Sequence, residues 1–270
     1  MTHKRILCIQ PVANLFGSPH HDAEVVSQML YGWEAQLLGF SEGGFEKVHA
    51  PDGYEGWMLA DMLLSTTKKS MTVAPVAKVI RNSAHLYRVN DLTKHKPVLT
   101  VPFETEFEVV AQPPEEAFRW IQVKLADGCL AWIQRGNVVL NSSPLTQVEM
   151  VTLAKQFLGL PYTWGGVSSF GYDCSGYVQM LFRQRGVHLP RDARDQIHSP
   201  FLAPIPLSDV ATADLLFFGP SESKITHVAL CHERGQIIHA IGIAPTLLIT
   251  SLDEPWLKDR YAFRTARRGL

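Results

Sequence analysis

Residues 45–57 read Phe45-Glu-Lys-Val48-His-Ala-Pro-Asp52-Gly53-Tyr54-Glu-Gly-Trp57, and residues 120–132 read Trp120-Ile-Gln-Val123-Lys-Leu-Ala-Asp127-Gly128-Cys129-Leu-Ala-Trp132. An offset of 75 aligns an aromatic residue, a Val, an Asp-Gly pair and a Trp without a gap. Each copy has the pattern of a strand with alternating apolar residues, a tight Asp-Gly turn and a return strand ending in Trp. The tripeptide Pro11-Val12-Ala13 also recurs as Pro75-Val76-Ala77, and is read as the opening of each half. Short strands and turn signals up to residue 140 predict two small all-β barrels in tandem.

Beyond residue 140 the punctuation changes. Asn141-Ser142-Ser143-Pro144 reads as a linker. Thr146-Gln-Val-Glu149 is a capping box opening a helix, with Val148, Val151, Ala154, Phe157 and Leu158 at helical spacing and Gly159 and Pro161 as the stop. Asp173-Cys174-Ser175-Gly176 leads into a second helix carrying Val178, Leu181 and Phe182. His227-Val-Ala-Leu-Cys231 and Gln236-Ile-Ile-His239-Ala-Ile241 flank Glu233-Arg234-Gly235 as a β-hairpin.

His227 and His239 are equidistant from Glu233, so a symmetric hairpin would set them opposite each other on one face. Cys174 falls at a helix N-terminus, where the macrodipole and unpaired N–H groups favour a thiolate and predict a low pKa. A thiol and two imidazoles are the parts of cysteine nucleophilic catalysis: His227 as base, His239 orienting it, and the Cys174 amide as an oxyanion donor. Zinc held by Cys174, His227 and His239 is the competing reading of the same residues. Cys8, Cys129 and Cys231 are assigned to packing, and His20, His21, His49 and His232 to the surface.

The 270-residue composition sets the bounds. Lys+Arg 25 against Asp+Glu 26 gives a net charge of −1, and 46% of the residues are hydrophobic. That excludes wholesale disorder and argues against general nucleic-acid binding or polybasic membrane attachment, which need a clustered positive field. Only Ile6-Leu7-Cys8-Ile9 is apolar near the start, too short for a secretory signal, so a cytoplasmic location is expected. Arg264-Thr-Ala-Arg267-Arg268 is read as a solvated tail.

Tyr162-x-Trp164-Gly165-Gly166, Asp173-Cys174-Ser175-Gly176, Pro190-Arg191-Asp192-Ala193, His227-Val228 and Ile238-His239-Ala240 follow one another as in the NlpC-type cysteine peptidases, which this chain resembles over about residues 145–265. The two repeats resemble bacterial Src-homology-3-like (SH3-like) modules. The resemblance implies a multidomain chain: two small all-β SH3-like barrels over 1–68 and 69–141, then an α+β papain-like NlpC catalytic domain over 142–270. It also implies a γ-D-glutamyl-L-diamino acid endopeptidase acting on small murein peptides with a free N-terminal L-Ala, in cell-wall peptide recycling. No metal, cofactor, nucleic acid or membrane partner is implied.

By the same resemblance Cys174 is the nucleophile, His227 the base and His239 the orienting residue, and the Tyr162 hydroxyl assists the oxyanion hole. Trp164, Asp173, Ser175, Arg191 and Asp192 line the substrate cleft, with Asp173 near the substrate amine and Arg191 facing the D-glutamyl α-carboxylate. Tyr54 caps the cleft, and Glu34 is an acidic partner of the amine. The chain departs from the family at Leu30-Tyr31-Gly32-Trp33, where Glu usually follows Gly; here Glu34 lies one position on. Cys129 stands where the first copy has Tyr54, so the second copy is not expected to make that contact. Three other readings stay open: a wall-directed amidase or endopeptidase acting on intact peptidoglycan, a non-catalytic wall-fragment binding protein, and an acyltransferase with the same Cys–His chemistry.

Overall fold

The computed structural model describes residues 4–66, 75–111, 119–221 and 223–270. The expected boundary between residues 68 and 69 lies outside the described residues. The chain divides into two compact units, Met1–Ser143 and Pro144–Leu270.

The N-terminal unit holds two seven-stranded antiparallel sheets. The first comprises β1 (Arg5–Cys8), β2 (Val12–Phe16), β3 (Val25–Leu30), β4 (Glu34–Glu42), β5 (Phe45–His49), β6 (Glu55–Leu59) and β7 (Leu63–Thr66), in the order β3-β2-β6-β5-β4-β1-β7. The second comprises β8 (Val76–Val79), β9 (Ser83–Tyr87), β10 (Leu99–Pro102), β11 (Glu106–Ala111), β12 (Trp120–Lys124), β13 (Leu130–Gln134) and β14 (Val138–Leu140), in the order β10-β9-β13-β12-β11-β8-β14. Strand for strand, the two orders are the same.

The quoted repeat forms the β5–β6 and β12–β13 hairpins. In the first, Ala50 N donates to Tyr54 O at 2.8 Å and Tyr54 N to Asp52 Oδ1 at 3.1 Å; in the second, Leu125 N donates to Cys129 O at 2.8 Å and Cys129 N to Asp127 Oδ1 at 2.9 Å. Gly53 and Gly128 supply the positive φ of 85° and 88° that this turn requires. Trp57 and Trp132 lie within their return strands rather than at the ends. The Pro-Val-Ala tripeptides are not equivalent: Val12 opens the second strand of its sheet and Val76 the first strand of the other. Three such residues suit the start of any strand and carry no register information.

Each barrel has its own apolar core. The first is built around Ile6, Leu15, Met29, Val48 and Met58, and the second around Val79, Leu86, Val101, Ile121 and Ile133. Tyr31, from the end of β3, crosses into the second core: its ring packs 5.7 Å from Phe107 and its hydroxyl accepts from Ala126 N at 2.8 Å. After Tyr31 the chain turns through Gly32 with φ 78°, and the same place in the second barrel is taken by Glu104 with φ 64°. The two are matched by their bonds, Gly32 N to Cys8 O and Glu104 N to Val79 O.

The C-terminal unit begins with α1 (Gln147–Lys155), whose N-terminus is a true capping box between Thr146 and Glu149. Met150, Val151 and Ala154 face inward, while Val148 is 77% exposed. The hairpin β15 (Val167–Ser168) and β16 (Gly171–Tyr172) precedes α2 (Cys174–Gln184) and α3 (Ala193–Gln196). A six-stranded antiparallel sheet follows, of β17 (Leu202–Ile205), β18 (Leu215–Gly219), β19 (His227–Glu233), β20 (Gln236–His239), β21 (Leu248–Ser251) and, after α4 (Pro255–Arg260), β22 (Phe263–Gly269). Its order is β17-β22-β18-β19-β20-β21, and α2 packs against β19.

The basic C-terminal stretch is therefore an interior strand, not a solvated tail. Arg268 reaches Asp214, which is fully buried, through Nε at 2.9 Å and Nη2 at 2.8 Å. No helix of the described residues is long and apolar enough to cross a membrane.

Candidate active site

The start of α2 is held by its N-cap. Asp173 Oδ1 accepts from Gly176 N at 2.7 Å, from Ser175 Oγ at 3.3 Å and from Arg191 Nη1 at 3.1 Å, while Oδ2 pairs with Arg191 Nη2. Arg191 Nη1 also donates to Ser175 Oγ at 2.8 Å. Four donors occupy the carboxylate, about as many as it has lone pairs to offer. Asp173 thus builds the helix start, with three of these donors on Oδ1 and one on Oδ2. The Arg191 side chain is 2% exposed, and its guanidinium holds Asp173 and Ser175.

Two glycines let the preceding loop close on this helix. A Cβ on Gly176 would lie 2.2 Å from Gly166 O, and one on Gly166 would lie 2.3 Å from Gly171 O. The bond from Asp173 N to Gly166 O, at 3.0 Å, closes the same seam.

Across from α2, His227 opens β19 and His239 closes β20. Both are buried, His239 completely. His227 Nε2 lies 2.8 Å from His239 Nδ1, and His239 Nε2 lies 2.9 Å from Thr250 Oγ1 on β21. The rings are also clamped from outside: Tyr261 stacks on His227 at 5.5 Å with 6° between planes, and Trp256 on His239 at 6.2 Å.

The pairing differs from a symmetric hairpin. Leu230 pairs with Ile238 and Cys231 with Ile237, and the register then shifts before Glu233 meets Gln236. The turn is Arg234-Gly235 and His232 is bulged out of the ladder, so His227 and His239 are diagonal neighbours on the same face, not directly opposed. His232, expected at the surface, is buried, with Nε2 3.2 Å from Glu233 Oε1.

Because His227 Nε2 is committed to His239, Nδ1 is the nitrogen left for a thiol proton. The tautomers then follow: His227 Nε2–H donates to His239 Nδ1, and His239 Nε2–H donates to Thr250 Oγ1. The nitrogens that would have to converge on a zinc ion are bonded to one another instead. Among the described residues, no group of three or more His, Cys, Asp or Glu side chains could hold a metal.

The Cys174 sulfur sits beside the backbone amides of Val228 and Ser175, both of which stabilise its charge. Burial outweighs them. Desolvation, reinforced by the Asp173 carboxylate, pushes the thiol up to about 12, opposite to the low value expected from the helix terminus alone. Burial likewise holds His227 well below 6.5, helped by His239 and Arg260, and desolvation brings His239 down to about 4. The resting pair is neutral thiol and neutral imidazole, which is the state a general base needs.

Tyr162 is half-buried, and burial together with the Cys174 and Asp173 charges raises its phenol, so it stays protonated and able to donate. Its ring packs where Gly242 leaves room. Trp164 is 63% exposed. Asp192 precedes α3 and pairs with Arg194 at 2.8 Å, without capping the helix. Tyr54 and Glu34 belong to the N-terminal unit: Tyr54 is half-buried beside the Asp52-Gly53 turn, and Glu34 is ion-paired with Arg5. Cys8 and Cys231 are buried as expected, whereas Cys129 is exposed. Thr250, Trp256 and Tyr261 carried no motif. Only the strand pairing of β20 with β21 brings Thr250 to His239.

The chain belongs to the NlpC/P60 family, whose model matches residues 159–265. Residues 15–63 match the bacterial dipeptidyl-peptidase Sh3 domain. The gamma-D-glutamyl-L-lysine dipeptidyl-peptidase of Bacillus subtilis is 30% identical over 243 residues, which cover 86% of this chain and 78% of that protein. The protein of the same name from Bacillus cereus is 30% identical over 227 residues, covering 81% of this chain and 65% of the relative. The fold is that of a crystal structure of an NlpC/P60 family protein from Bacillus cereus, with a TM-score of 0.85 over 98% of this chain and 99% of that one at 24% identity.

Proposed function

We propose that this protein is a cysteine endopeptidase hydrolysing the γ-D-glutamyl-L-diamino acid bond of murein-derived peptides that carry a free N-terminal L-Ala. The observation that carries the reading is the His227–His239–Thr250 relay, with the thiol at the N-terminus of α2 meeting the amide of Val228, the residue after His227. The names of the relatives support the substrate class.

His227 Nδ1 takes the Cys174 proton as sulfur attacks the γ-carbonyl carbon. The oxyanion is met by the Cys174 amide and the Tyr162 hydroxyl. The imidazolium is stabilised by donating Nε2–H to His239, and then gives its Nδ1 proton to the departing amine. The thioester is hydrolysed by a water that His227 deprotonates, which releases L-Ala-γ-D-Glu and frees the thiol. A role in recycling peptides in the cytoplasm is part of this proposal.

The test is mass-spectrometric product analysis with L-Ala-γ-D-Glu-diaminopimelate, using wild type and Cys174→Ala. Release of L-Ala-γ-D-Glu by the wild type alone is expected. If Cys174→Ala cleaves as well, or neither protein cleaves, the reading fails. N-acetylating the substrate's L-Ala is expected to abolish turnover, and an unchanged rate would remove the free-amine requirement.

A further inference from the structure

One pocket in the C-terminal unit has no part in the chemistry above. It measures about 220 Å³ and is lined by Phe218, Leu257, Lys258, Tyr261, Ala262 and Arg264. Two of its walls are the rings that pack on the base: Tyr261 stacks on His227 at 5.5 Å, and Phe218 lies 5.7 Å from His227 and 5.4 Å from Tyr261. It is therefore one ring away from the imidazole that returns a proton to the leaving amine.

Its polar lining is cationic. Arg264 is paired with Phe218 across β22 and β18, and its guanidinium is near enough to Asp253 to help hold that carboxyl below its ordinary range. Lys258 Nζ is 3.0 Å from Asp253, a carboxylate that is 89% exposed and does not line the pocket. Arg260 lies over the Tyr261 ring at 5.7 Å and adds to the positive field. An apolar, aromatic wall with cations at its rim fits an aliphatic arm whose end includes a carboxylate, and repels one ending in an ammonium alone.

We propose that this pocket takes the side chain of the leaving diamino acid, and that Arg264 and Lys258 select a leaving group whose far end carries a carboxylate beside its ammonium, diaminopimelate, over one that ends in an ammonium alone, lysine. This rests on the endopeptidase reading. The leaving nitrogen must sit within hydrogen-bond reach of His227 to receive its proton, which directs the arm attached to it past Tyr261 and Phe218.

The experiment compares kcat/KM for L-Ala-γ-D-Glu-diaminopimelate and L-Ala-γ-D-Glu-L-Lys in the wild-type chain, Arg264→Glu and Lys258→Ala. The wild type is expected to favour diaminopimelate by about tenfold or more, the scale of one charge-assisted hydrogen bond. The ratio should fall below about threefold in Lys258→Ala and invert in Arg264→Glu. Equal rates on both peptides in the wild type, or a ratio unmoved by either substitution, would overturn the selection while leaving the endopeptidase intact. Cleavage of neither peptide by folded wild type would instead refute the parent reading, and this inference with it.

Discussion

Thr250→Val isolates the far end of the imidazole relay. Valine keeps the shape of threonine and deletes only the acceptor that lies 2.9 Å from His239 Nε2. Thr250 is 6% exposed and His239 is fully buried, so water cannot replace the lost partner. In the resting tautomers His239 Nε2–H already donates to the Thr250 hydroxyl, as one neutral group to another. The charged state is more demanding: His227 imidazolium must donate from Nε2, which forces His239 to donate onward from its own Nε2.

A net hydrogen bond is worth about 0.5–1.5 kcal/mol between neutral groups and about 1.5–3 kcal/mol when one is charged. The difference, about 1–1.5 kcal/mol, is what the reaction loses, or about 5- to 13-fold in kcat/KM at one decade per 1.36 kcal/mol. The neutral part appears as about 1 kcal/mol of lost stability in a urea titration. Steady-state kinetics with the γ-D-glutamyl peptide should show the loss in kcat with KM little changed, and Thr250→Ser should restore the rate. A valine variant within twofold of wild type, or a serine variant as slow as valine, would show that the relay ends at His239.

Arg191→Met should destabilise the C-terminal unit by about 3–5 kcal/mol, because it strands the Asp173 carboxylate in a buried site. Adding Asp173→Asn should recover part of that in chemical denaturation, and an additive double variant would contradict the pairing. Gly176→Ala places a Cβ 2.2 Å from Gly166 O. Overpacking of that kind costs about 1–3 kcal/mol and should displace the nucleophile, so the variant should lose activity beyond its loss of stability; a fully active Ala variant would refute the close seam. For pH, His227 and His239 titrate lower in the folded chain than their ordinary 6.5, so the unfolded chain binds the extra protons. Their contribution is complete above about 6.5 and is lost as pH falls toward 4, by up to about 2.7 kcal/mol per pH unit for two protons. The thiols act at the other end: Cys174 at about 12 and Cys8 and Cys231 at about 11 are raised from 9.0, so their share is complete below 9 and is lost above it. Urea midpoints should therefore form a plateau between about pH 6.5 and 9, and a midpoint unchanged from pH 6.5 to 4.5 would contradict the buried neutral imidazoles.

What could be read from the chain was local. The Asp-Gly hairpins, the Thr146–Glu149 capping box and Cys174 at a helix start each depend on residues within a few positions of one another, and each formed as its pattern implied. Shared side of the two histidines was also legible, because parity along a strand survives a shift of two residues. Their diagonal placement was not, since a bulge at His232 leaves no mark in a run of apolar and polar residues. The pairing of Arg191 with Asp173 was hidden for a related reason: nothing in the 17 residues between them announces that the two meet in the interior. The thiol's raised pKa is a property of the volume enclosed around it, which helix position alone does not specify. Thr250, Tyr261 and Trp256 come from segments whose meaning exists only after the sheet has assembled.

The side chain of Tyr31 has a bearing on how this chain can change. Two copies of one strand order would ordinarily be interchangeable parts, free to be lost, shuffled or transplanted singly. Here one copy has lent a ring to fill the other's interior and a hydroxyl to cap its backbone at Ala126. Deleting the second copy would leave an aromatic residue without a home, and grafting the second copy elsewhere would carry away a core with a hole in it. The two copies are thus joined at a single residue, and a change in β3 or in the Leu125–Cys129 turn is felt by the other copy.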